Sequence, residues 1–180
     1  MNKTIVIFGI IAILLSSCST GKKALQKGDY FSALSKAVER LKSTPDNKNA
    51  TKVLHDGYPM TLEWTQEELD QALSSNNPFK WEQAINLMEQ VNRLSDQIRS
   101  IPAARAIINN PKNYISELNL AYEKAAEARY NAGLTELDAN TRESARLAFD
   151  HFKTADHFVS GYKNVRELIN TAKEKATVKV

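Results

Sequence analysis

Few residues in this chain have side chains that could do chemistry. There is one cysteine, Cys18, and there are three histidines, His55, His151 and His157. A lone cysteine has no internal disulfide partner, so its thiol is free for other uses. No Cys-x-x-Cys or His-Glu-x-x-His spacing surrounds any of these residues, so no metal site is expected. His151 and His157 are six apart in a helical stretch, which puts them on different faces, because neighbours on one face are three or four apart. Ser144, Asp150 and His151 supply the residue types of a hydrolase triad. No strand-turn-helix elbow surrounds the serine, and no glycine-rich phosphate loop occurs anywhere. Glu67, Glu68, Glu82, Glu89 and Asp46 fall on helix surfaces or ends, where solvation is their ordinary state. The expectation is a protein without catalytic residues, metal or cofactor.

Cys18 differs from the rest because of what precedes it. Lys3 gives a positive start, and Ile5 to Leu15 is an apolar run. A membrane-spanning helix needs about 20 apolar residues. A secretory core needs roughly 7–15, which fits this run. Leu15-Ser16-Ser17-Cys18 follows directly. Without further information the segment reads as an export signal ending at a cysteine, an ordinary signal peptide with an incidental cysteine, or a short buried helix.

The four features in register resemble the lipobox of bacterial lipoproteins. That resemblance covers residues 1–18. It implies cleavage before Cys18, a signal peptide over 1–17, acylation of the Cys18 thiol and new amino group, and a lipidated tether over 18–23. Two or more acyl chains hold stably in a bilayer, at about 0.8 kcal/mol per buried methylene. Ser19 follows the cysteine, with no aspartate or acidic cluster behind it. By the same resemblance the body faces the periplasm from the outer membrane. Lys22, Lys23 and Lys27 are placed to touch anionic headgroups, or simply begin a solvated helix.

The mature part has roughly 160 residues, enough for one domain with a real core. The formal charge of +3 includes Lys3 of the leader, and is too mild to argue for nucleic acid. Residues 24–176 read as helices throughout. The apolar positions Leu34, Ala37, Val38 and Leu41 form one face. Thr44 is placed to cap the next helix, with Pro45 at its first position. Gly57-Tyr58-Pro59 predicts a kink in one long helix or a break between two. Thr65 to Glu68 forms either a capping box or the polar face of the longer helix. Asn77 and Pro78 start a helix carrying Trp81, Ala84, Ile85, Met88, Val91, Leu94 and Ile98. A short helix over 103–108 is followed by a long alanine-rich one from Tyr114, with Gly133 as its C-cap or as a kink if it runs to Leu137. Asn140 and Glu143 are expected to cap a helix ending near Val159, and Tyr162 to start the last. The final Thr177-Val178-Lys179-Val180 alternates β-branched residues in the manner of a strand. The tail is frayed, pairs with a partner's sheet edge, or continues into a longer protein.

Gly28-Asp29-Tyr30, Ala33, Leu34, Leu41 and Pro45 resemble the second helix of a tetratricopeptide (TPR) repeat. Trp81 with Ala84, and Ala148 with Phe152 and Ala155, resemble it twice more. Arg40 and Ser160 depart from the pattern. The separations of Ala33, Ala84 and Ala148 exceed the regular period of about 34 residues, so the repeats are degenerate. The resemblance implies an all-α fold of antiparallel pairs stacked as a short solenoid; the helical periodicity alone is equally met by a plain irregular helical bundle. The resemblance also implies a protein partner in an envelope, secretion or assembly complex. The other reading is a small envelope ligand, a glycan or peptide, in a groove lined by Tyr58, Trp64, Phe79, Trp81 and Tyr114.

Overall fold

The computed structural model describes residues 29–177. Every regular element among them is a helix: α1 (Tyr30–Ser43), α2 (Lys48–Ser74), α3 (Lys80–Ser100), α4 (Pro102–Ile107), α5 (Ile115–Asp138), α6 (Arg142–Phe158) and α7 (Val165–Ala176). The all-α expectation is met. Cys18, the segments 1–17 and 18–23, and residues 178–180 lie outside the described residues.

The chain divides into two compact units. Among the described residues, the first holds residues 29–65 together with Gln90–Asn113, and the second holds Gln66–Glu89 and residues 114–177. In the first unit, Leu34, Ala37, Val38 and Leu41 of α1 are buried against Leu54 and Tyr58 of α2, Leu94 and Ile98 of α3, and Ala104 of α4. The four α1 residues recur at three- and four-residue intervals, so one stripe of the helix enters the core and the rest stays in water. The Tyr58 hydroxyl accepts a 2.7 Å hydrogen bond from the Lys112 backbone N–H and lies 3.4 Å from Ser95 Oγ. Arg99 donates to the Pro111 carbonyl at 2.8 Å. These two bonds tie the connection after α4 to α2 and α3.

The Pro59 question resolves as one helix, α2, running through the proline. Proline lacks the N–H that would bond the carbonyl of His55 four residues back. Pro59 and His55 are both exposed, so water can serve that carbonyl. Next to the lesion, Thr61 Oγ1 donates to the Gly57 carbonyl at 2.8 Å, and Thr65 Oγ1 donates to Thr61 at 2.7 Å. Both hydroxyls are thereby satisfied inside the core. Thr65 to Glu68 is accordingly mid-helix and not a capping box.

Several caps differ from expectation by one to three residues. Thr44 does not cap α2. Residues 44–47 form a turn, and Asn47 Oδ1 accepts from the Ala50 N–H at 2.9 Å. Asparagine ranks among the best N-caps, so the later position wins. Asn77 Oδ1 accepts from the Phe79 N–H at 2.9 Å, which delays α3 to Lys80. The cap of α6 is Thr141, not Asn140 with Glu143: Thr141 Oγ1 accepts from the Ser144 N–H, and Ser144 Oγ accepts from the Thr141 N–H, each at 3.0 Å. Asn140 instead takes a left-handed backbone with φ 52°. Helix α7 begins at Val165, not Tyr162, because Gly161 and Lys163 have φ of 72° and 48°. Neither can belong to a right-handed helix.

The second unit is built on the packing of α6 against α5 and α7. Its core holds Tyr130, Ala148, Phe152, Ala155, Val165 and Ala172. Gly133 is neither a cap nor a terminus. It lies within α5, where a methyl group would stand 2.6 Å from Phe152 Cε1. The glycine is there because the phenyl ring occupies the space of a side chain. Gly133→Ala gains about 1 kcal/mol of helix propensity. It also forces a displacement of the buried ring, and overpacking of this kind costs about 1–3 kcal/mol. Urea unfolding followed by circular dichroism should show a lower midpoint for Gly133→Ala. A raised midpoint would mean that the ring moves aside freely.

Candidate functional site

The densest group of interacting polar and aromatic side chains lies in the second unit. The spacing of Glu82 on α3, Arg129 on α5 and His151 on α6 offers no hint that they meet. Arg129 binds Glu82 through both carboxylate oxygens, Nε to Oε1 and Nη2 to Oε2, the latter at 2.8 Å. The pair is about three-quarters buried on each side. Its guanidinium also lies over the Phe79 ring, 3.7 Å from the centroid. Arg129 Nη1 is 3.1 Å from His151 Nδ1, and the imidazole is 5.5 Å from the Phe79 ring. A guanidinium can only donate, so His151 Nδ1 is the acceptor and the imidazole is neutral with its proton on Nε2.

That geometry has an electrostatic consequence. Burial holds the His151 pKa below its ordinary 6.5, and the Arg129 charge lowers it further. Glu136, Asp150 and Glu82 act the other way without reversing the result. The arrangement is a planar clamp: arginine held by a carboxylate, sandwiched against a phenyl ring and abutting an uncharged imidazole. Its chemical capacity is to fix α3, α5 and α6 in register.

Beside it is an open cleft of about 420 Å³ lined by Glu82, Ile85, Asn86, Glu89, Tyr122, His157 and Phe158. The Tyr122 hydroxyl donates to Glu89 at 2.5 Å, and the Tyr122 and Phe158 rings are 6.3 Å apart. His157 lies 5.7 Å from the Phe158 ring. Two aromatic faces, carboxylates and an imidazole suit a polar ligand carrying hydrogen-bond donors.

The residues singled out from the sequence are dispersed. His55 is exposed beside Asp56, with Nδ1 2.8 Å from the carboxylate. Ser144 is buried and committed to the α6 cap. Ser144 and His151 are seven residues apart on one helix, a rise of about 10 Å at 1.5 Å per residue, too far for a hydrogen bond. Of the five aromatics expected to line one groove, Tyr58 and Trp64 belong to the first unit, and Phe79, Trp81 and Tyr114 to the second. Tyr58 and Tyr114 are buried. Trp64 packs against Tyr30 and Phe31. Phe79 serves as the floor of the arginine clamp. Trp81 borders a shallow polar depression with Lys124 and Asn131. Among the described residues, no group of three His, Cys, Asp or Glu side chains is arranged to hold a metal ion.

A histidine whose pKa is depressed on folding binds protons more readily when unfolded. Its contribution is therefore whole above the unfolded value of about 6.5 and is lost as pH falls through the folded value. Urea midpoints measured at pH 7.5 and pH 5 should fall on acidification, and His151→Gln should flatten that part of the slope. An identical slope in the variant would show that other groups carry it. No family model, curated protein or solved structure matches this chain.

Proposed function

We propose that this chain is an acylated lipoprotein of the outer membrane, held at Cys18, with a periplasmic helical body that serves as a protein-protein interaction scaffold. The observation that carries the reading is the register of Lys3, the apolar run and Leu15-Ser16-Ser17-Cys18, ahead of a body made entirely of helices among the described residues. Among those residues no helix is long and apolar enough to cross a membrane. Ala84 and Ala148 are fully buried, as a small residue must be where TPR-like helices approach closely. Their burial, with the packing of α6 between α5 and α7, supports degenerate TPR-like pairs.

The cleft between Tyr122 and Phe158 favours a second reading, a binding site for a small envelope glycan or peptide. A ligand that binds only the folded state must raise the melting temperature. A thermal-shift series with envelope oligosaccharides and short peptides separates that reading from the scaffold.

Cys18→Ala should move the protein from the membrane fraction to the soluble fraction and leave its helical circular dichroism unchanged. Mass spectrometry should find diacylglycerol on Cys18 of the native protein. Affinity capture of the lipidated protein in mild detergent should recover a partner in fixed ratio. A bare Cys18 defeats the anchor, and a lipoprotein recovered alone defeats the scaffold.

A further inference from the structure

The first helix of the body begins at Tyr30, twelve residues after Cys18. A chain of that length, fully extended, reaches at most about 40 Å. The start of α1 is thus leashed within that distance of any bilayer that holds Cys18. The side chains found there are aromatic. Trp64 lies 5.2 Å from the Tyr30 ring and 6.2 Å from the Phe31 ring, and all three are half-buried. Met60 is one turn before Trp64 on the same face of α2 and is 52% exposed.

Tryptophan and tyrosine pair an apolar body with a polar tip, and they concentrate where hydrocarbon meets water. Glu63 is exposed on the neighbouring position of α2, so deep burial in hydrocarbon is disfavoured and contact at headgroup depth is not.

We infer that the aromatic end of the first unit, Tyr30, Phe31 and Trp64 with Met60, rests on the headgroup layer of the membrane that anchors Cys18. This rests on the lipoprotein reading and adds to it an orientation. The acyl chains hold the protein, and the aromatic patch lays a defined end of the first unit against the lipid. That leaves the remaining surface of this unit turned to the aqueous side.

The test uses the full acylated chain in vesicles of phosphatidylethanolamine and phosphatidylcholine, the latter brominated near the top of its acyl chains. The chain has two tryptophans. Trp81→Phe leaves Trp64 as the only one, and its emission should be at least halved relative to vesicles of unbrominated lipid. Trp64→Phe leaves Trp81 of the second unit, which reports any quenching that does not come from the patch. Met60→Glu in the Trp81→Phe background should relieve the quenching of Trp64 without altering circular dichroism. Equal Trp64 emission in both kinds of vesicle, with Cys18 shown by mass spectrometry to be acylated, overturns the docking and leaves the anchor standing. An unacylated Cys18 removes the basis of both. Trp64 unquenched by brominated lipid, yet increasingly shielded from acrylamide as protein concentration rises, would assign the patch to a second copy of the chain and also overturn the proposal.

Discussion

Phe152 lies against the backbone of Gly133 with no room for a methyl group between them. An all-helical core has no sheet to lean on, so helices must bury their stripes against one another, and small residues set how near they come. In the second unit the small residues Ala148, Ala155 and Ala172 share a core with Phe152, whose fully buried ring fills the space beside Gly133. Tyr130 meets that ring edge-on at 5.9 Å, and its hydroxyl donates to Asn164 at 2.6 Å. Tyr162 meets Tyr130 at 5.7 Å. The turn that starts α7 is thus read out by the same aromatic that packs on Phe152. Arg142, which donates to the Ala176 carbonyl, and Lys175, which donates to Asn140, close the far end of the α6–α7 pair.

The polar clamp is a different kind of constraint. Hydrophobic packing is non-directional and tolerates small rotations of a helix about its axis. A bidentate arginine–carboxylate pair does not, because two parallel bonds fix orientation as well as distance. Glu82, Arg129, Phe79 and His151 therefore specify the register in which α3, α5 and α6 meet, and the neighbouring cleft takes its shape from that register. A pair this buried need not add much stability over an apolar substitute. Its value is in selecting one arrangement from several that the greasy stripes alone would accept.

The first unit solves a similar problem with neutral groups. Tyr58, Thr61 and Thr65 enter its interior along one side of α2, and each hydroxyl has a bond partner. A long helix with a proline in it survives because the proline faces water and the buried hydroxyls on the other side are satisfied. The aromatic patch of Tyr30, Phe31 and Trp64 closes one end of the same unit. On the proposed reading, the work is divided along the chain: acyl chains on Cys18 for position, an aromatic end for seating, and helical faces for engaging a partner.

The sequence by itself determined the helical class, the apolar stripes and the approximate number of helices, because a period of three to four residues is a local property of the backbone. The stripe of α1 was readable residue by residue; on α3 the buried Ala84, Ile85, Met88, Val91, Leu94 and Ile98 were readable, whereas Trp81 is only half-buried and Leu87 and Ser95 are buried without having been expected. Helix starts were readable in kind but not in place: Asn47 and Thr141 cap where Thr44 and Asn140 were expected, and α7 begins at Val165 in place of Tyr162, since adjacent turns compete at separations of one to three residues. Only the tertiary structure decided that Pro59 lies within one helix, which depends on which face of α2 meets water. It alone also decided that Gly133 is a seat for Phe152 and not a terminus, and that Glu82, Arg129 and His151 meet. Their separations in the chain carry no periodic signal, and only the packing of three helices converts them into neighbours.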